Sequence, residues 1–338
     1  MKAVEITKPR EIVIVDREIP EIRENEVLIR VKAAGICGSD IHIYHGKNAF
    51  ATYPRVVGHE FVGEIVKVGA KVDKFKIADR VTVDPVVSCG TCYPCRIGRH
   101  NVCKSLNVMG VHRDGGYQEY VAVDCDQVYL LPEGLSWECA ATIEPYTIAA
   151  QVIERGRLKK EDQVLICGAG PIGLIILQAV KMVGAKVAIV DIVESRLAKA
   201  KELGADLIIN SKITDMTKEV MKFTKDDGAS LIFEATGNIH LLETCIHEIA
   251  SPAGRVVVLG FSKEEVKISQ VDIMSKELEI IGTRLNNKKF DQVIMWFSKG
   301  LVNPEKIISH TFEFKQIKQA FELSESSPEK VCKIIIKF

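Results

Sequence analysis

Apolar and polar residues alternate with two different periods in this chain, and the period changes near residue 160. Before that point the runs are short and repeat every second residue. Glu26–Lys32 and Glu64–Val68 carry the beat of half-buried strands. Gly35, Gly38, Gly46, Pro54, Gly58, Gly63 and Gly69 interrupt such runs, which predicts a barrel-like fold of strands, turns and bulges over residues 1–150. From about Glu161, continuous apolar runs of strand length alternate with helix-length segments. Strands are predicted at Gln163–Cys167, Lys186–Val190, Asp206–Ile209, Leu231–Glu234, Arg255–Leu259 and Glu279–Ile281, with helices over Pro171–Val183 and Glu194–Leu203. That alternation predicts an α/β domain over 151–285, a parallel sheet with helices on both faces. A helix at Phe290–Ser298 and a strand–helix–strand tail follow. The tail is too short to fold alone, so 286–338 is expected to complete the first domain. No internal repeat is visible.

Length agrees with this division, because 338 residues at roughly 150 per domain give about two cores. Forty-five basic side chains balance 45 acidic ones, which removes any general attraction to nucleic acid or anionic lipid. The first twenty residues carry charges every few positions and contain no apolar signal core. Val164–Val180 is apolar, but Gly168, Gly170, Pro171 and Gly173 break it, and it is shorter than the roughly 20 residues of a membrane span. A cytoplasmic protein with no membrane partner is expected. Ten cysteines are present, and four of them crowd into fifteen positions. In an intracellular chain such a cluster points to metal rather than disulfides. The scattered thiols read as small buried hydrophobes, Cys37 excepted.

Three constellations carry chemistry. Gly168-Ala169-Gly170-Pro171-Ile172-Gly173 matches G-x-G-x-x-G between a predicted strand and a predicted helix. There the first glycine makes the turn, the second admits a pyrophosphate, and the third packs helix on strand. The helix N-terminus offers free N–H groups to phosphate. Asp191, at the end of the second strand, is placed to bond the adenosine ribose and to repel a 2′-phosphate, so NAD is expected over NADP. Arg196, five residues on, could cover adenine or meet a phosphate instead. Cys89, Cys92, Cys95 and Cys103 supply four thiolates on one loop, enough for a closed tetrahedral zinc shell. An iron–sulfur cluster is the rival occupant. The third set is discontinuous. Cys37, Ser39 and His42 lie in one run, His59 and Glu60 in a second, and Glu144 in a third. Catalytic zinc uses such a mixture of thiolate, imidazole and carboxylate, but spacing alone does not bring the three runs together.

Gly58-His59-Glu60-x2-Gly63-x5-Gly69 resembles the signature of zinc-containing alcohol dehydrogenases of the medium-chain dehydrogenase/reductase superfamily. The Cys37–Asp40 run, the four-cysteine lobe and the glycine-rich turn follow in that family's order, over essentially the whole chain. Ile143-Glu144-Pro145 is similar to the sorbitol dehydrogenase-like branch, which has Glu near the metal where liver-type enzymes have Cys. Ala51–Val56, Asp84–Gly90 and Gly110–Gly116 resemble the starvation-sensing protein B subgroup. Its neighbours are the L-galactonate and L-gulonate 5-dehydrogenases, which oxidise sugar acids with NAD.

The resemblance implies a GroES-like barrel joined to a Rossmann domain, two zinc ions per chain, and a homodimer or homotetramer. Cys37, His59 and Glu144 would surround the catalytic zinc, with Glu60 a fourth ligand or an exchanging neighbour. Ser39 and His42 match the family's proton relay. Gly168, Gly170, Pro171, Ile172, Gly173, Asp191, Arg196, Thr236 and Gly237 are the implied cofactor contacts. Arg284 and Asn286 follow the last Rossmann strand, where the family approaches the nicotinamide, and a sugar-acid carboxylate would suit a guanidinium there. Tyr44, Phe50, His112 and Arg113 are further substrate candidates on barrel loops. A general secondary-alcohol or diol dehydrogenase is the alternative enzyme, and a regulatory protein without turnover is the non-enzymatic one.

Overall fold

The computed structural model describes residues 1–338. The chain separates into two packed units. Residues 1–147, 286–300 and 304–338 form the first, and residues 148–285 with 301–303 form the second.

The first unit is built around the strand Glu26–Ile36, whose buried valines, isoleucines and alanines face neighbours on both sides. Glu60–Val68 pairs antiparallel with it along one edge, broken by two register shifts that bend the pair. Tyr120–Asp124 pairs with its first half and the C-terminal strand Lys333–Lys337 with its last residues, Ile334 opposite Ile36 and Ile335 opposite Gly35. Ile308–Glu313, Arg80–Val83 and Val128–Leu130 extend this seven-stranded sheet, and Glu11–Asp16, Lys2–Lys8 and Arg55–Val56 form a separate three-stranded one. The tail is thus a structural part of the barrel, as its short length demands. Both long strands outrun the alternating segments, because Ala33–Ile36 and Glu60–Val62 are buried on both faces and lose the period-two pattern.

The second unit holds six parallel strands. Their spatial order is Leu207–Asn210, Lys186–Asp191, Gln163–Cys167, Ala229–Glu234, Ala250–Val258 and Glu279–Gly282. The order reverses between Gln163–Cys167 and Ala229–Glu234, the switch point where doubly wound sheets bind nucleotides. The apolar stretch Val164–Val180 is a buried strand, a turn and the helix Pro171–Val183. No helix is long and apolar enough to cross a membrane. Helix Ile143–Arg155 carries the chain from the first unit into the second. Its pattern is masked in the sequence by Pro145, which is tolerated because it falls in the first turn, where no intrahelical bond is required of its nitrogen.

Candidate active site and metal centres

The central strand of the first unit ends at Cys37, which caps the short helix Gly38–Tyr44. His59 and Glu60 enter the adjacent strand beside that end, with Gly35 directly opposite Glu60. Register therefore joins runs that spacing left apart: donor atoms of Cys37, His59 and Glu60 lie within 4.8 Å of one another. Asp40, fully buried, fixes the frame. Its carboxylate accepts the N–H groups of Cys37 (3.0 Å) and Gly58 (3.3 Å) and the hydroxyl of Tyr117 (3.0 Å). It also lies 3.6 Å from His59 Nδ1. Burial works to lower the His59 pKa, but the charges of Cys37 and Asp40 and hydrogen bonds to both hold it well above the usual imidazole range. The pocket attracts positive charge.

Glu144 stands in the first turn of helix Ile143–Arg155, buried, outside the 4.8 Å group. Burial pushes its carboxyl up to about 8, a shift that His59 and Lys333 oppose and that Glu60 and Asp84 reinforce. A half-buried thiol with a buried imidazole and two buried carboxyls fits a divalent cation of borderline softness, which is the donor chemistry of zinc. Ser39 and His42 are one helical turn apart and share a face of helix Gly38–Tyr44, Ser39 half-buried and His42 exposed.

One residue here has no counterpart among the sequence candidates. Lys333 Nζ lies 2.8 Å from each Glu60 carboxylate oxygen and donates to the Ile36 carbonyl at 3.2 Å, almost fully buried. Lysine opening the run Lys333-Ile334-Ile335-Ile336 reads as the wet end of a strand. Only the pairing of Lys333–Lys337 with Ile36 and its neighbours turns it inward.

The four-cysteine loop closes on itself. Sulfur separations are 3.5 Å for Cys92–Cys95, 3.8 Å for Cys92–Cys103 and 3.5 Å for Cys89–Cys103. Four sulfurs about 2.3 Å from a tetrahedral zinc would stand about 3.8 Å apart, so the cage fits that ion. Backbone N–H groups of Cys89, Cys92 and Ser105 donate to Cys103 or Cys89 sulfur at 3.3–3.4 Å, as thiolates require. Bonds from Thr91, Cys92 and Cys103 bring Cys89 down to about 5, whereas burial and its sulfur neighbours push Cys95 up to about 11.

In the second unit, a Cβ on Gly173 would sit 1.8 Å from the Gly168 carbonyl oxygen, while one on Gly170 would meet nothing within 4 Å. The turn is closed where helix meets strand and open where a pyrophosphate would approach. Pro171 and Ile172 form the first turn of the helix. Asp191 reaches this turn, its Oδ2 accepting the Ala169 N–H at 2.7 Å and its Oδ1 those of Ile192 (2.7 Å) and Val193 (2.9 Å). Arg196 is half-buried on the helix Glu194–Glu202. Glu234, buried and unanticipated, accepts the N–H groups of Thr236 (2.7 Å) and Gly237 (3.0 Å) and so shapes the turn after the fourth strand.

The substrate candidates do not form one group. Phe50 faces His112 at 5.9 Å between ring centres, and His112 Nδ1 accepts the Val108 N–H at 3.1 Å. Tyr44 packs edge-on against Phe321. Arg113 lies among Glu26, Arg23 and Asp124, and burial lowers its pKa. Nine residues of strand at about 3.3 Å each separate Glu26 from Gly35, so the Arg113 guanidinium is not at the Cys37 end of the barrel. Asn286 is buried and donates to Asp84 Oδ1 at 3.2 Å, a structural bond within the barrel. Arg284 is exposed in the second unit, after the strand Glu279–Gly282.

Residues 23–133 match the alcohol dehydrogenase GroES-like domain, and residues 171–299 the zinc-binding dehydrogenase domain. The starvation-sensing protein RspB of Escherichia coli K12 is 47% identical, over 100% of this chain and 99% of that one. Sorbitol dehydrogenase of Bacillus subtilis 168 is 34% identical, over 99% of this chain and 97% of its own. A crystal structure of RspB from E. coli CFT073 complexed with NADH superimposes with a TM-score of 0.95 at 45% identity, covering 100% of this chain and 99% of that one. This chain belongs to the zinc-containing alcohol dehydrogenases of the medium-chain dehydrogenase/reductase family, an oxidoreductase with a GroES-like and a Rossmann domain.

Proposed function

We propose that the protein is a zinc- and NAD-dependent dehydrogenase that oxidises a secondary alcohol of a sugar acid. The observation that carries the reading is the mixed donor set of half-buried Cys37, buried His59 and the buried carboxylates beside them. Cys37, His59 and Glu144 would hold the ion, and it supplies Lewis acidity toward a hydroxyl oxygen. Ser39 accepts the hydroxyl proton while giving up its own, which exposed His42, one turn along the same helix face, takes up and releases to water. Thiolates of Cys89, Cys92, Cys95 and Cys103 would hold a second zinc, which would tie the loop rather than react. The open side of Gly170 and the first turn of helix Pro171–Val183 receive the pyrophosphate. Asp191 beside that turn favours a ribose hydroxyl over a 2′-phosphate, hence NAD.

The acid substrate rests on the resemblance to the L-galactonate and L-gulonate dehydrogenases and on Arg284, a guanidinium exposed after the last sheet strand. Similarity to a sorbitol dehydrogenase supports a plain polyol as the competing substrate. NAD reduction by the zinc-loaded protein decides between them. L-Gulonate, L-galactonate or L-idonate should be oxidised at C5 with higher kcat/KM than sorbitol or simple alcohols. Arg284→Met should impair the acids selectively, by roughly 2–3 kcal/mol for a charged hydrogen bond. Sorbitol outperforming every hexonate, or equal losses on all substrates in the variant, would remove the acid pocket and leave the dehydrogenase. Absence of turnover on every alcohol would favour a regulatory role.

A further inference from the structure

We propose that His247 is a proton-operated latch in the second unit. Protonated, it ties down the segment that leaves the turn after the fourth strand; deprotonated, it lets that segment go. The consequence for the cofactor rests on the reading of Gly237 as a cofactor contact. Residues 259–269 contain no helix or strand, so the segment is held only at its ends. At the near end, the N–H groups of Leu259 and Gly260 donate to the Glu234 carbonyl at 2.8 and 3.0 Å. A Cβ on Gly260 would stand 2.2 Å from the Gly237 nitrogen, and one on Gly237 would stand 3.2 Å from the Phe261 nitrogen and oxygen. The segment thus lies directly against the turn that Glu234 shapes. At the far end, side chains of one helical run, Ile239–Ile249, take both backbone groups of Lys267. Its N–H donates to Glu243 Oε1 at 2.8 Å, and its carbonyl stands 3.0 Å from His247 Nε2. Helix Gln270–Met274 follows, capped by Ser269, and its Asp272 Oδ1 lies 3.0 Å from His247 Nδ1.

Both ring nitrogens of His247 therefore face acceptors, a carboxylate and a carbonyl. A neutral imidazole has one N–H and satisfies one of them; the imidazolium has two and satisfies both. Without the proton, a ring lone pair opposes either Asp272 or the Lys267 carbonyl, and one tie is lost. The surroundings favour the charged form. Bonds to Asp272 and to the Lys267 carbonyl hold the His247 pKa above the ordinary imidazole range; the charges of Asp272 and Glu243 add to this, and desolvation opposes it. Asp272 is held down to about 2, first by the Ser269 hydroxyl and N–H and then by His247, so it stays an anion. Glu243 is held low by the Lys267 N–H and by His240, 3.2 Å away. The cations nearby are the Lys267 ammonium and Lys276, whose Nζ donates to the Ile246 and His247 carbonyls at 3.0 and 2.9 Å. Lys276 holds the chain beyond helix Gln270–Met274 in either state, which confines the loosening to residues 259–274. His247 is exposed, so it exchanges its proton with solvent, and the tie has the strength of a surface ion pair. It is fully made below the ordinary imidazole pKa and lost as pH rises through the raised one.

NMR titration of the His247 ring in the zinc-loaded protein should give a pKa above about 6.5, and Asp272→Asn should bring it down. Hydrogen-exchange protection factors for residues 260–274 remove the intrinsic effect of pH on exchange, and they should fall in step with that titration. In His247→Gln they should stay near the high-pH value of the parent and no longer step with pH. His240→Gln, on the same surface, should leave the step in place. NADH binding, followed by its fluorescence, should be about two- to five-fold tighter at pH 6 than at pH 8.5, as the excess of parent over His247→Gln. A His247 pKa at or below that of an ordinary imidazole would overturn the proposal. So would protection that ignores the titration, or that follows pH equally in His247→Gln. Protection that steps while NADH affinity does not would refute the link to the cofactor turn. Absence of NADH binding at every pH would refute instead the cofactor reading beneath it.

Discussion

At the scale of single residues, buried carboxylates are the expensive groups, and several have a distinct partner. Glu60 has Lys333, Asp40 has three donors, and Glu234 holds a turn. Asp84 is less well served. It accepts Val86 N–H (3.0 Å) and one Asn286 N–H (3.2 Å), and burial lifts its pKa from 3.8 to about 6. A pKa raised by folding means that the native state holds the proton more tightly. The penalty is therefore absent below about pH 4, grows through pH 4–6 and is complete above. A rise of that size corresponds to about 3 kcal/mol. Asp84→Asn removes the charge while keeping an acceptor for Val86, and its amide could donate to the Asn286 Oδ1, which has no partner. Urea unfolding should find the variant more stable than the parent by up to about 3 kcal/mol at pH 8 and by clearly less at pH 5. Equal gains at both would show that folding does not raise the Asp84 pKa. Asp191 supports a second prediction, because its carboxylate lies against the glycine turn. Asp191→Ala should raise the NADP/NAD ratio of kcat/KM about ten-fold, or ~1.4 kcal/mol. Equal use of both cofactors by the parent protein would mean that Arg196 outweighs the acid.

At the scale of elements, local chemistry was legible and pairing was not. Gln163–Cys167, Pro171–Val183 and Phe290–Ser298 have the predicted bounds, because a buried strand, a Gly-Pro helix start and an amphipathic helix each mark their own limits. Helix Ile143–Arg155 was hidden by Pro145, and Ala250–Val258 by Pro252 and Gly254 ahead of its apolar half. The thiols of the four-cysteine loop could be found by spacing. Lys333 could not, since its role depends on a strand that pairs across most of the chain. The same contrast separates the two metal centres in the laboratory. Cys95→Ser should lose one zinc equivalent and lower the melting temperature, because the loop from Cys89 to Cys103 then lacks its tie. Cys37→Ala should lose the other, with most of the activity, and melt close to the parent. Metal analysis with calorimetry checks both, and full turnover after stripping to one zinc would refute the two-site assignment.

At the scale of the whole molecule, one edge of the second unit is unfinished. Glu279–Gly282 ends the six-stranded sheet, with Ala250–Val258 on one side and no strand on the other. Ile280 is 39% exposed on that strand, and nearby Val271 and Met274 of the short helix Gln270–Met274 are 63% and 70% exposed. Edge strands with apolar side chains invite pairing, and soluble proteins normally blunt them with charge or cover them. The homodimer that the family resemblance implies would place a second copy on this edge. A two-fold axis beside the strand would set it antiparallel to itself, pairing Ile280 with its own counterpart and stacking the two apolar helices at the join. The homodimer implied by the family resemblance would then be a continuous sheet across two subunits. Ile280→Lys places like charges opposite each other at the centre of that join while leaving both metal sites untouched. Light scattering should give a dimer or larger assembly for the parent and a lower mass for the variant, with zinc content unchanged. A monomeric parent, or a variant of parental mass, would show that this edge is not the subunit contact.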